Sequence, residues 1–196
     1  SGQGNKIGAQ IEYHVRQELD VEPEPQPDTG WRTSFDENLR EERSQFLTAY
    51  EIIWEIETTL HRFVALHLQS AYGSDSGGNP WWMTVFPAKI RQECIEQHDS
   101  DGRRRVSVDC YLNLHGVGEV VKYNREAFKK VFESLQASHG DAQSRFHQGL
   151  ERVNRLRNDV MHPLKRLTPD SESIANLRQF LEFVSVLTAA SDAHPA

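Results

Sequence analysis

SFDENLREERSQFLTAYEIIWEIETTLHRFV, running from Ser34 to Val64, reads as one helix. Ser34 and Glu37 have the spacing of a capping box, in which a hydroxyl and a carboxylate three residues on satisfy free amides of the first turn. Leu39, Phe46, Tyr50, Ile53, Ile56, Leu60 and Val64 then recur on one face. A stripe this long has to be covered by other elements. It predicts a long core helix, with room for one break, in an all-α helical bundle.

The flanking sequence extends that reading. Upstream, Ile7, Ile11 and Val15 form a narrow stripe, so residues 1–20 are expected to be an amphipathic helix. Val21-Glu-Pro-Glu-Pro-Gln-Pro-Asp-Thr-Gly30 follows, whose prolines and acids predict a stiff connector, set at 21–33. The bundle is expected over 34–190, with 191–196 as a tail. Downstream, Tyr72 to Pro80 is rich in Gly, Ser and Asn and reads as a loop, while Pro80 and Pro87 suit the first turns of two short helices. Val106-Ser-Val-Asp-Cys-Tyr111 alternates like a strand, but a solitary strand cannot satisfy its ladder hydrogen bonds, so it is read as mostly loop. Val117, Val120 and Val121, then Phe128, Val131, Phe132 and Leu135, mark two more helices with Asn124 as the cap between them. Phe146, Leu150 and Val153 open a helix that should end near His162, because Pro163 disfavours helical geometry in the residue before it. Thr168-Pro169 is expected to start a last helix that buries Ile174, Leu177, Leu181, Val184 and Leu187.

Composition bounds the function. The chain has 196 residues, 37% hydrophobic and 26% charged, enough for one substantial core and too few for a multi-domain machine. No apolar run reaches the roughly 18 residues of a membrane span, and the first residues lack a signal-peptide pattern, so a cytoplasmic protein without membrane contact is expected. The opening Ser1-Gly2 suggests a processed or excised chain. Cys94 and Cys110 form no disulfide framework and no zinc-finger spacing, and both are read as reduced and structural. A net charge of −7 argues against coating nucleic acid by bulk electrostatics, yet Arg103 to Arg166 holds 13 Lys and Arg against 7 Asp and Glu, a local +6 that leaves −13 for the remainder. Such a segment is either a phosphate-binding face or a set of solvated helix faces.

Several familiar sites are absent from the sequence. There is no Walker loop, Gly116-Val-Gly118 lacks the third glycine and the preceding strand of a dinucleotide fingerprint, and neither His-Glu-x-x-His nor Glu-x-x-His occurs. No cofactor and no metal are therefore expected. Trp81-Trp82 could stack bases, but paired tryptophans after a loop are more often core anchors, and that is the reading taken.

One stretch remains: Leu156-Arg157-Asn158-Asp159-Val160-Met161-His162-Pro163, inside the basic region. Arg157 is a permanent cation with a fork that suits a phosphoryl group, and His162 can exchange protons near neutral pH. RNA transesterification uses both: an imidazole takes the ribose 2'-hydroxyl proton, and guanidinium groups hold the charge that builds at phosphorus. An arginine followed by a histidine after four to six residues is not specific, since Arg62 with His67 and Arg91 with His98 satisfy the same loose rule, and both of those pairs read as helix-surface residues. A polar residue after the arginine, a proline after the histidine, and one more apolar helix to complete the domain distinguish the third pair.

With those residues the chain resembles the HEPN superfamily, small helical bundles whose ribonuclease members carry Arg, a polar residue, a short spacer and His. Arg157-Asn158 and His162-Pro163 carry the resemblance, and Tyr111-Leu112-Asn113-Leu114 and Asn124-Arg-Glu-Ala-Phe128 look like the segment that precedes the motif in a branch found in RNA-surveillance, toxin-antitoxin and antiviral defence proteins. Coverage runs from about Phe35 to Leu187. The resemblance implies a metal-independent endoribonuclease that acts as a homodimer, with Arg157 and His162 catalytic, Asn158 orienting the histidine or phosphate, and Asp159 a weaker candidate. Arg152, Arg155, Lys165 and Arg166 would contact the RNA backbone. Leu164 stands where adenylylation-controlled HEPN toxins carry tyrosine, so that control is not expected. Two-fold symmetry would supply the second imidazole that acid and base roles require. Two other readings stay open: a catalytically silent module that dimerises or docks a protein partner through the N-terminal helix and linker, and an RNA binder without cleavage. As a purely structural pair, Arg157 could meet Asp159 or Glu151 while His162 closes the helix end.

Overall fold

The computed structural model describes residues 30–73, 75–76, 79–102, 106–161 and 168–193. The chain divides into two compact units, 1–40 and 41–196, and every side-chain contact below lies within the second. The expected N-terminal helix, most of the linker and residues 194–196 of the expected tail fall outside the described residues, while residues 191–193 of that tail belong instead to the last helix.

The protein is all-α. Helix α1 (Gly30–Tyr72) is followed by a two-residue antiparallel pairing of β1 (Asp75–Ser76) with β2 (Asn79–Pro80), then by α2 (Trp82–Val85), α3 (Ala88–Ser100), a 3-10 turn (Val108–Tyr111), α4 (Leu114–Tyr123), α5 (Arg125–His139), α6 (Ala142–Val160) and α7 (Ser171–Ala193). α1 has no break and begins at Gly30, ahead of the predicted Ser34, because no proline interrupts Trp31-Arg-Thr. It buries Ala49, Ile52, Ile53, Ile56, Leu60, Phe63, Val64 and Leu68. Tyr50, expected on this face, is instead exposed: the buried residues at 49, 52, 53 and 56 turn position 50 to the flank.

Local chemistry sets the helix starts. Asn113 accepts from the Gly116 amide at 2.8 Å, Asp141 from Ser144 at 2.9 Å, and Asp170 from Ser173 at 2.7 Å. Each satisfies an amide that the first turn leaves free, typically a gain of about 1 kcal/mol for a buried-end helix. Asp170 thereby moves the start of the last helix past Thr168-Pro169, to Ser171. Asn124 sits between α4 and α5 as predicted but caps nothing with its side chain. Its buried amide donates to the carbonyls of Val85 and Val120, both at 2.8 Å, and so ties α2 to the α4–α5 corner. Val106 to Tyr111 is not wholly loop, since its second part closes as the 3-10 turn.

The core is continuous. Phe63, Phe86, Phe128, Phe146 and Phe183 are fully buried, and truncating any one to Ala should cost roughly 3–5 kcal/mol. Trp81 and Trp82 are buried against Phe86, as core anchors. On α7, Leu181 is only half-buried; Phe180 and Phe183 take its place beside Ile174, Leu177, Val184 and Leu187. Cys94 is buried, whereas Cys110 is exposed and carries no packing role of the kind expected. His67 is not a surface residue: it is 2% exposed, its Nε2–H donates to the Ala127 carbonyl at 2.9 Å, and Ser191 Oγ–H donates to its Nδ1 at 2.7 Å. That ring, stacked on Phe128, joins α1, α5 and α7. Arg91 likewise turns inward to donate to the Met83 carbonyl.

Candidate functional site

Helix α6 has three packed sides, towards α4, α5 and α7, and its C-terminal turn carries the Arg157 stretch. Successive residues on a helix are turned by about 100°. Arg157, Asn158 and Asp159 therefore diverge although they are consecutive. Arg157 is half-buried and faces α1, Asn158 is exposed, and Asp159 lines a cavity on the α7 side. The expected pairings of Arg157 with Asp159 or Glu151 do not form. Its Nε–H donates instead to Glu57 Oε1 on α1, at 2.7 Å. About a third of each side chain stays exposed, so the pair adds at most about 1 kcal/mol of stability. Its value is geometric: Glu57 holds the guanidinium in place while the side chain stays part-exposed, as a cation that is to meet an anion requires.

Two concavities flank this point. One groove, of about 500 Å³, is lined by Trp54, Glu57, Thr58 and His61 of α1, by Gln97 of α3, by Cys110, Tyr111, Leu112 and Asn113, and by Arg157. It brings an imidazole, a guanidinium, a carboxylate and a phenol to one wall. His61 Nε2–H donates to the Asp109 carbonyl at 2.8 Å and lies 3.8 Å from the Asp109 carboxylate. Burial, and then the Asp109 charge, push the Cys110 thiol above its ordinary range. The second cavity, of about 620 Å³, lies between α6 and α7, with Gly149, Val153, Leu156, Leu177 and Phe180 in its lining and Arg145, Arg152, Arg155, Asp141 and Asp159 as its charges. Arg145 also stands 5.0 Å over the Phe183 ring.

The predicted residues are thus divided. Arg157 occupies the α1 groove. Arg152, Arg155 and Asp159 occupy the α7 cavity. His162, Lys165 and Arg166 lie outside the described residues. Glu57 and His61 were not singled out by sequence, because a carboxylate and an imidazole on the flank of a long helix look like solvated surface; only the 3-10 turn, distant in sequence, completes their surroundings. Next to the groove, Tyr50, Trp54 and Met161 are exposed, Trp54 by 59%, and share a shallow hollow with Glu57 and Arg157; Leu47, earlier on α1, is exposed as well. Among the described residues no helix is long and apolar enough to cross a membrane. No family model matches the chain, and neither a curated protein nor a solved structure does.

Proposed function

We propose that the protein is a metal-independent endoribonuclease that cleaves flexible single-stranded RNA by attack of the 2'-hydroxyl on the adjacent phosphate. The observation that carries this reading is the held guanidinium of Arg157: Glu57 fixes its Nε, about a third of the side chain stays exposed, and it lines a groove of about 500 Å³. Such a preorganised cation stabilises charge on a pentacoordinate phosphorus without reorganising during the step. His162, five residues on, is the proposed general base, and Asn158 the hydrogen-bonding partner of base or phosphate. A second copy supplies the acid for the departing 5'-oxygen, and the exposed Tyr50, Trp54 and Met161 beside Arg157 are the apolar surface that supports such a homodimer. Arg152 and Arg155, on the other side of α6, hold RNA electrostatically rather than react with it.

The test is RNA digestion in excess EDTA. Wild type should yield 2',3'-cyclic phosphate and 5'-hydroxyl ends and leave DNA intact. His162→Ala and Arg157→Ala should each remove cleavage, and unchanged cutting by either variant refutes the assignment. The same exposed patch favours a second reading, a catalytically silent dimerisation or docking module. Trp54→Glu separates the two: loss of the dimer together with RNA cleavage supports the nuclease, and loss of the dimer by a protein that never cuts RNA supports the module.

A further inference from the structure

We propose that His61, Asp109 and Cys110 form a binding site for a zinc-class transition-metal ion on the wall of the Arg157 groove. His61 comes from α1, and the other two from the 3-10 turn. One ligand atom from each lies within 4.8 Å of the other two, and His61 Nε2 stands 3.8 Å from Asp109 Oδ2. Metal bonds of roughly 2.0–2.2 Å to nitrogen and oxygen span a 3.8 Å gap at an open angle, once the His61 ring turns from the Asp109 carbonyl towards the carboxylate. Cys110 is exposed, so its side chain has room to turn towards an ion held by the other two, at the roughly 2.3 Å that a thiolate takes.

The surroundings support these three residues as ligands. Ser107 Oγ–H donates to Asp109 Oδ1, which fixes the carboxylate with Oδ2 turned to the imidazole, as outer hydrogen bonds do for metal-binding carboxylates. Asp109 is 8% exposed, so its carboxylate would meet a cation with little competing solvent. Nitrogen, oxygen and sulfur together select zinc, cobalt or nickel over magnesium and calcium, which prefer oxygen alone. Three protein ligands leave a fourth position open to the groove. Protons balance: the Cys110 thiol releases one to solvent, and the imidazole proton moves from Nε2 to Nδ1, so one hydrogen bond to the Asp109 carbonyl is exchanged for coordination. This inference does not rest on the nuclease reading; the ion would tie α1 to the 3-10 turn.

The experiment titrates the full chain, stripped with EDTA and desalted, with Co2+ and then with Zn2+. Expected are a thiolate-to-cobalt absorption that saturates at one ion per chain, displacement by Zn2+ but not by Mg2+, and a rise in Tm with Zn2+. Cys110→Ser should remove the absorption and His61→Gln should weaken binding at least tenfold, as losing a ligand costs no less than the roughly 10- to 100-fold of an outer partner. Cys94→Ser should change neither, and circular dichroism verifies that each variant folds. No cobalt absorption in the wild type, absorption that survives Cys110→Ser, or equal competition by Mg2+ overturns the site.

Discussion

The α1 side and the α7 side of helix α6 handle their arginines in opposite ways. Towards α1, a single arginine is clamped by Glu57 at the mouth of a groove with mixed acid–base chemistry. Towards α7, Arg152 and Arg155 stand over an apolar floor, and no described carboxylate pairs with them. Permanent charge is common to both sides. Anchoring belongs to one, and it separates a group that can act on a defined phosphate from groups that can only attract many. Within the basic segment, the arginines near the end of α6 therefore lie on two surfaces rather than one, since neighbouring residues on a helix point apart.

The largest expected effect tests that division. Arg157→Ala should lower single-turnover RNA cleavage by at least about 100-fold, the usual cost of removing a preorganised charge donor. Arg152→Ala and Arg155→Ala should leave the rate at saturating RNA within about threefold and each reduce the salt slope of binding by roughly one. Equal rate losses from both sides would mean that α6 carries one extended site, and the contrast would fail.

The α7 side is tested by packing. At Gly149 a Cβ would stand 2.0 Å from the Phe180 ring, so only glycine allows the two helices this approach. Gly149→Ala should cost roughly 1–3 kcal/mol in urea denaturation, with part regained when Phe180→Leu is added in the same chain. Cleavage per folded molecule should be unchanged, because Arg157 is held from α1. A stable Gly149→Ala protein would show that α6 and α7 lie farther apart than the Phe180 contact requires.

How far these surfaces could be read from the residues depends on the range of the forces that build them. Helical periodicity is local, so Ile53, Ile56, Leu60 and Val64 announce α1, and Phe128, Val131 and Phe132 announce α5. Tyr50 and Leu181 misled because a stripe of apolar residues defines a face only to within one residue, and Phe180 and Phe183 compete for the same α7 face. Buried polar groups are harder still. His67 is inside only because Ser191 and Ala127 reach it from 124 and 60 residues away. Arg157 was visible as a residue type within a short run. Its partner Glu57 was not, since their pairing requires α1 and α6 to be side by side. His61 and Cys110 are joined in the same non-local way.

The smallest expected effect concerns the side of α6 that faces α4. His147 lies beside Gly118, and its Nε2 is buried with no hydrogen-bond partner among the described residues. Burial, and then the Lys122 charge, hold its pKa below the ordinary 6.5, against the weaker pull of Glu119 and Glu151. An unfolded chain therefore takes up this proton more readily than the folded one, so stability rises with pH across the interval between the two values. The contribution is fully present above pH 6.5 and is lost as pH falls through the folded pKa. Glu119 and Asp170, whose pKa values are also lowered, act the same way in a separate window below 4.5. Urea denaturation at about pH 7.5 and about pH 5.5 brackets the histidine window alone. Wild type should be less stable at the lower pH, and His147→Gln should reduce that difference, because the amide has no proton to gain. An undiminished difference in the variant would place the acid sensitivity at another histidine, and the α4 side of α6 would then be as indifferent to protonation as its α7 side.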